Sequence, residues 1–79
     1  ARRELEQALT LAETTLGPEH LGVATVLGHL AGLRAAAGET GTARTMLARA
    51  LEIRERTLGA SHPDTRQTAE RLAALAGQN

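Results

Sequence analysis

Apolar residues recur along this chain at intervals of three and four positions, the spacing of one face of an α-helix. The pattern predicts four helices, over residues 2–16, 21–37, 42–58 and 62–76. A glycine follows each of the first three, and glycine best tolerates the left-handed backbone that ends many helices. Connections of only a few residues make adjacent helices pack antiparallel. The sequence therefore predicts an all-α fold of antiparallel helical hairpins.

The residues that we expect to face inward are mainly Leu, Ala and Val. They are Leu5, Ala8, Leu9, Ala12 and Leu16 in the first helix, Val23, Val26, Leu27, Leu30, Ala31 and Leu33 in the second, and Ala43, Met46, Leu47, Ala50, Leu51, Arg54 and Leu58 in the third. The fourth helix begins near His62-Pro63-Asp64, because Pro suits the first helical position and Asp suits the positive end of the helix dipole. Ser61 is the candidate N-cap, with Asp64 completing a variant of the capping box. Four charged residues at the edge of the third stripe or outside it predict a solvated convex face: Glu52, Arg54, Glu55 and Arg56.

The sequence also repeats itself with an offset of 42 residues. Residues 1–37 align onto 43–79 without a gap, with 13 identities. The identical positions in the first copy are Ala1, Arg2, Leu5, Ala8, Leu9, Glu13, Thr15, Leu16, Gly17, His20, Leu30, Ala31 and Leu33. Because the matched apolar residues of the first helix share one face, the repeat preserves a packing surface rather than a chemical group.

Residues between His20 and Gly59 carry a resemblance to a known family. They are His20-Leu21-Gly22-Val23-Ala24-Thr25, Leu30-Ala31, Gly38, Ala43, Arg49-Ala50-Leu51, Ile53-Arg54-Glu55 and Leu58-Gly59. This segment resembles the 42-residue tetratricopeptide repeats of kinesin light chains and their bacterial relatives. The resemblance implies a solenoid fragment, in which residues 1–17 are helix B of one repeat, 20–59 a full repeat and 62–76 helix A of the next. The family places small residues where Ala31, Gly38, Ala43 and Ala50 stand, so that helices A and B approach closely.

The resemblance implies a protein-interaction scaffold that binds a peptide or a partner protein on its concave face. The A helices line that face in the family, and here they would present Thr25, Gly28, His29, Gly32, Gln67, Glu70 and Arg71. Gly28 and Gly32 would let a ligand approach, and Arg71 and Gln67 would donate hydrogen bonds. The alternative is that the polar members of this set are only the solvated side of amphipathic helices.

The chain departs from the family pattern at several positions. Gly28-His29 and Glu70-Arg71 stand where the family usually has Asn-Asn, and Arg34, Thr40 and Leu47 stand where it has aromatic residues. In kinesin light chains these asparagines help to hold the cargo backbone. The departures favour a different ligand for this chain.

A second function class is also open: a structural or self-association segment, such as the sensor arm of a larger bacterial signalling ATPase. The first helix would lack a helix A partner and the last a helix B, so each would leave an apolar stripe uncovered. The two classes differ in the expected readout. A bound peptide would protect residues 25–35 and 67–74, whereas self-association would depend on concentration.

Composition excludes several other classes. Nine Arg balance nine acidic residues, so no basic excess favours nucleic acid. The chain has no Cys, which excludes disulfides and thiolate chemistry and is compatible with a reducing compartment such as the cytoplasm, where we expect the protein. No apolar run approaches the roughly 20 residues that span a membrane, and we expect no membrane partner. Phe, Tyr and Trp are absent, so the core must form from smaller side chains.

Candidate chemistry is sparse. His20 and His62 recur with the repeat, which is compatible with metal ligation, but no acidic residue repeats beside them at ligand spacing, and capping of helix amides is the simpler interpretation. Ser61 and His62 are adjacent, so their side chains point apart and do not form a nucleophile and base pair. The segment Gly38-Glu39-Thr40-Gly41 lacks the Lys of a phosphate loop. We therefore expect no enzyme activity, no cofactor and no metal.

Overall fold

The computed structural model of the chain describes residues 2–77 and contains four helices. They are α1 (Arg2–Leu16), α2 (Leu21–Ala36), α3 (Thr40–Leu58) and α4 (Pro63–Ala76). The all-α prediction is confirmed, with α2 ending one residue before its predicted end and α3 beginning two residues before its predicted start. Ala1, one of the repeat-matched positions, lies outside the described residues, as do 78 and 79.

A glycine lies just after each of the first three helices, as the sequence predicts. Gly17, Gly38 and Gly59 have φ angles of 96°, 84° and 91°, a region that side chains with a Cβ rarely adopt. Beyond Gly38 the chain turns at once into α3, where the Glu39 carbonyl accepts from the Ala43 amide at 3.0 Å. Because Gly41 fits within this first turn, α3 begins earlier than the apolar pattern indicates.

Histidine caps the start of both α2 and α4. The Gly22 amide donates to His20 Nδ1 at 2.9 Å, and the Asp64 amide donates to His62 Nδ1 at 3.0 Å. The capping interpretation of the repeated histidines is therefore confirmed. The expectation that Ser61 is the N-cap is wrong, because α4 begins at Pro63 and the residue before it supplies the acceptor.

Each helix packs mainly against its neighbours in sequence, and α2 and α3 share the largest interface. The result is an open stack of 35 × 32 × 15 Å rather than a bundle closed around one core. Among residues 2–77, no helix is long and apolar enough to cross a membrane.

Two clusters of buried residues hold the stack together. The first lies between α2 and α3 and consists of Val23, Ala24, Leu27, Ala50 and Ile53, with Leu9 and Ala12 of α1 packed against it. The second joins α2, α3 and α4 and consists of Ala31, Ala43, Leu47 and Leu75. Alanine at the contact points lets the helices approach closely, which compensates for the absence of aromatic side chains.

Leu16 and Leu33, which we expected to face inward, are exposed. Leu16 is 48% exposed, because it lies in the last turn of α1 beside the backbone of Gly22, where the chain leaves the helix. Leu33 is 36% exposed, since no helix within residues 2–77 covers that side of α2. Both findings correct the expectation that the whole apolar stripe faces inward.

Arg54 does not belong to a solvated face. It lies half-buried between α3 and α4, where its Nη1 donates to the Thr68 hydroxyl at 2.6 Å. Thr65 and Thr68 are each 1% exposed, so this end of the α3–α4 interface is polar. The sequence pattern predicts Arg54 both in the inward stripe of the third helix and on a solvated convex face. The first of these two predictions is correct.

Candidate functional site

A stripe of small residues runs along α2 on the side that faces α4. Gly28, Ala31, Gly32 and Ala35 are spaced at intervals of three and four residues, which places them on one face of the helix. Ala31 is fully buried and Gly32 is exposed, so the stripe passes from the core to the surface. Small side chains here leave space that larger residues would fill.

This space is a groove of about 200 Å³ between α2 and α4, with α3 beneath it. Its lining residues are Ala31, Gly32, Ala35, Leu47, Arg71, Ala74 and Leu75. Leu47 and Leu75 are buried and form an apolar floor, whereas the guanidinium of Arg71 supplies the charge. Pockets for small molecules usually measure roughly 300–1,000 Å³. The groove is therefore better suited to one or two side chains of a polypeptide than to a cofactor.

Arg71 connects α4 to α2 across the groove. Its Nη2 donates to the Gly28 carbonyl at 3.0 Å, a bond between residues 43 positions apart. A Cβ at Gly28 would lie 3.3 Å from Arg71 Nη1, and a Cβ at Gly32 would lie 3.6 Å from Nη2. The two glycines thus make room for this guanidinium, which occupies part of the space that the sequence assigned to a ligand.

The structure brings together three of the seven sequence-predicted residues, namely Gly28, Gly32 and Arg71. The other four, Thr25, His29, Gln67 and Glu70, are exposed on α2 and α4, and the Thr25 hydroxyl donates to the Leu21 carbonyl at 3.2 Å. Within the described part of the chain, the side chains of Gln67, Glu70 and His29 form no hydrogen bond with the other predicted site residues.

Sequence reasoning missed the apolar part of the groove. Ala35 and Ala74 line it beside the predicted residues, at helical spacing from Gly32 and Arg71 respectively. The small-residue stripe of α2 was the available signal. The position of α4 opposite that stripe depends on packing, which a one-dimensional pattern does not specify.

An ion-pair cluster joins α1, α2 and the start of α3. Arg34 of α2 contacts Glu6 of α1 at 2.6 Å and Glu39, just before α3, at 2.8 Å. The hydrogen bond to Glu39, with further attraction from Glu6, raises the pKa of the Arg34 guanidinium above its ordinary value, although burial opposes the shift. The charged group therefore holds three segments in one arrangement.

The histidines are already engaged in structure. Nδ1 of His20 and Nδ1 of His62 each accept a hydrogen bond from a backbone amide, so these two nitrogen atoms are not available to a metal or to Ser61. Within residues 2–77, no three side chains of His, Asp or Glu converge as a metal site would require.

Comparison with known families gives a match whose two ranges together cover the whole chain. The profile of the tetratricopeptide repeat family matches residues 1–56 and, in a second register, residues 23–79. The starts of the two matches lie 22 residues apart, about the length of one helix with its connection, and each match spans three of the four helices. No curated protein is similar enough to the chain to match it.

Proposed function

The chain belongs to the tetratricopeptide repeat family, and from this premise we propose that the groove between α2 and α4 binds a segment of another polypeptide. Repeats of this family generally serve as protein-interaction modules and are typically non-catalytic. The groove at Gly32, Arg71 and Ala74 is the single observation that carries the proposal, because it combines an apolar floor with a fixed hydrogen-bond donor. An extended segment or a helix would lie along α2 and α4.

Arg71 is suited to hold such a segment. A guanidinium has five N–H donors in a rigid fork, and the Gly28 carbonyl takes one of them. Because the bond to Gly28 orients the side chain, part of the ordering cost of binding is already met in the free protein. The exposed donors are available to a backbone carbonyl or a carboxylate of the partner.

We further propose that the repeats are of the 42-residue type found in kinesin light chains. The offset between the two copies supports this, as does the pairing of His20 with His62 as equivalent caps. In this assignment residues 1–17 are helix B of one repeat, 20–59 a full repeat and 62–76 helix A of the next. The groove then lies between two successive A helices, and Gly28-His29 and Glu70-Arg71 in place of Asn-Asn give it a ligand preference of its own.

A display selection tests the proposal. A phage library of random linear peptides is selected on the immobilised chain, and the affinity of enriched peptides is measured by fluorescence anisotropy. Ala74→Leu fills the groove, so we expect it to weaken binding of the enriched peptides at least tenfold. Ala48→Leu is the matched control, because Ala48 is exposed on α3 and does not line the groove.

Peptides that bind both variants as tightly as the original chain would place the interaction on another surface and contradict the proposal. The proposal would also be contradicted if the selection enriched no peptide more strongly on this chain than on an unrelated helical protein. Circular dichroism of both variants confirms that the substitutions leave the helices intact.

A further inference from the structure

Arg71 closes one end of the groove between α2 and α4. On α2 the lining residues run from Ala31 to Ala35, and Gly28 lies about one turn before Gly32 on the same face. Gly28 is buried although it has no side chain. A Cβ there would lie 3.3 Å from Arg71 Nη1, and the described residues place no other side chain within 4 Å of it. The guanidinium therefore covers Gly28 and separates it from the groove.

A hydrogen bond holds this guanidinium in place. Arg71 Nη2 donates to the Gly28 carbonyl at 3.0 Å, and the bond is partly buried. Bonds from a charged donor are stronger than bonds between neutral groups, so a bound side chain does not readily push the guanidinium aside. Without it the groove would extend from Gly32 to Gly28, which is about 6 Å along the helix.

The charge of Arg71 is not neutralised by a carboxylate of the chain. Arg34, Arg49 and Arg56 each pair with a glutamate. Arg71 forms no such ion pair within residues 2–77. The end of the groove is therefore positive and repels a Lys or Arg side chain of a partner.

We propose that Arg71 is the specificity-determining residue of the groove and that it limits the bound side chain of the partner to an aliphatic one. The proposal rests on the proposed function, because it assumes that a polypeptide binds there. The buried floor of Leu47 and Leu75 favours an apolar side chain. Phe, Tyr and Trp bury roughly 150–250 Å² each, and the far edge of such a ring would enter the space that the guanidinium occupies.

Peptides selected on the chain provide the probes. In an enriched peptide, the anchor is the residue whose replacement by Ala weakens binding to the original chain but causes no further loss with Ala74→Leu, in which the groove is filled. Versions of one such peptide with Leu, Phe or Trp at the anchor are then compared by fluorescence anisotropy.

The ratio of the dissociation constants of the Trp and Leu versions measures the restriction. We expect it to be at least about ten on the original chain, because one surplus methylene in an apolar pocket already changes binding about tenfold. In Arg71→Ala the ratio should fall to about one or reverse, since the ring can then occupy the space above Gly28. Loss of the Arg71 donors weakens both versions alike and leaves the ratio unaffected.

Arg66→Ala is the matched control. It removes the same charge from the same helix, at an exposed position that does not line the groove. We expect it to keep the ratio of the original chain. Circular dichroism of both variants shows that α4 remains helical.

Two results would overturn the proposal and leave the proposed function intact. One is a ratio that Arg71→Ala leaves unchanged. The other is an aromatic or basic anchor in the peptides enriched on the original chain, as stacking of a ring on the guanidinium would produce. In both cases Ala74→Leu would still weaken binding. A selection that enriches no peptide would instead contradict the proposed function and this proposal with it.

Discussion

Arg54 of α3 donates to the hydroxyl of Thr68 on α4 at 2.6 Å, and Thr68 in turn donates to the Asp64 carbonyl at 3.0 Å. The Thr65 hydroxyl adds a longer bond of 3.4 Å to the Arg54 carbonyl. One repeat earlier the equivalent residues are Ala12, Val23 and Val26, which are apolar. The same packing position is therefore apolar between α1 and α2 and hydrogen-bonded between α3 and α4.

A double-mutant cycle tests the coupling between Arg54 and Thr68. Thr68→Val removes the acceptor and leaves the half-buried guanidinium without it, which we expect to lower the free energy of unfolding by about 1 kcal/mol. The double change of Arg54→Ala with Thr68→Val gives both positions apolar side chains, as in the first hairpin, and should cost less than the two single changes added together. Urea denaturation measures each value. Additive losses would show that the bond contributes no coupling.

Gly28 and Gly32, the two glycines of α2 beside Arg71, should respond differently to replacement by alanine. Gly32→Ala removes a helix-interior glycine and places its Cβ at an ordinary contact distance of 3.6 Å from Arg71, so we expect stabilisation of about 0.5–1 kcal/mol. Gly28→Ala brings its Cβ to 3.3 Å from Arg71 Nη1, and the displaced guanidinium offsets part of the gain. In an Arg71→Ala background the two substitutions should become equivalent. An unchanged difference there would mean that Arg71 is not its cause.

The cap of α4 gives a third prediction. His62→Ala removes the acceptor of the Asp64 amide and should lower the free energy of unfolding by about 1 kcal/mol, the usual effect of losing an N-cap. His62→Asn should retain most of the stability, because Asn is a good N-cap. Ser61→Ala serves as the neighbouring control and should change little. If Ser61→Ala lowered the free energy of unfolding more than His62→Ala, His62 would not be the N-cap of α4.

The elements of this fold could be predicted because their signals are local. Gly17, Gly38 and Gly59 end helices through their own backbone freedom, and the apolar spacing of Val23, Leu27 and similar residues marks the buried faces. The antiparallel packing followed from short connections. None of these inferences needs information from a distant part of the chain.

The remaining features depend on contacts between distant segments. The burial of Thr65 and Thr68 depends on the Arg54 side chain, and Thr is ordinarily a surface residue in an amphipathic pattern. The position of Arg71 over Gly28 joins residues 43 positions apart. The exposure of Leu33 depends on which helix covers α2. Periodicity places such residues on a face but does not identify what lies opposite.

Ionic strength should affect α1 more than the other helices. None of its described residues is fully buried, and ion pairs from Glu6, Glu13 and Glu19 to arginines of α2 and α3 hold α1 and the segment after it. Salt screens such exposed pairs, whereas the apolar α2–α3 clusters are insensitive to screening. Hydrogen exchange of α1 amides should therefore accelerate on adding salt while α3 amides remain protected. Equal acceleration in both helices would indicate global rather than local opening.

The central claim is that a polypeptide binds in the groove between α2 and α4, and hydrogen exchange of the chain with and without a selected peptide tests it most directly. We predict slower exchange of amides in residues 25–35 and 67–74, with α1 amides unchanged. Protection confined to α1 or to the outer side of α3, with no change along α2 and α4, would contradict the claim.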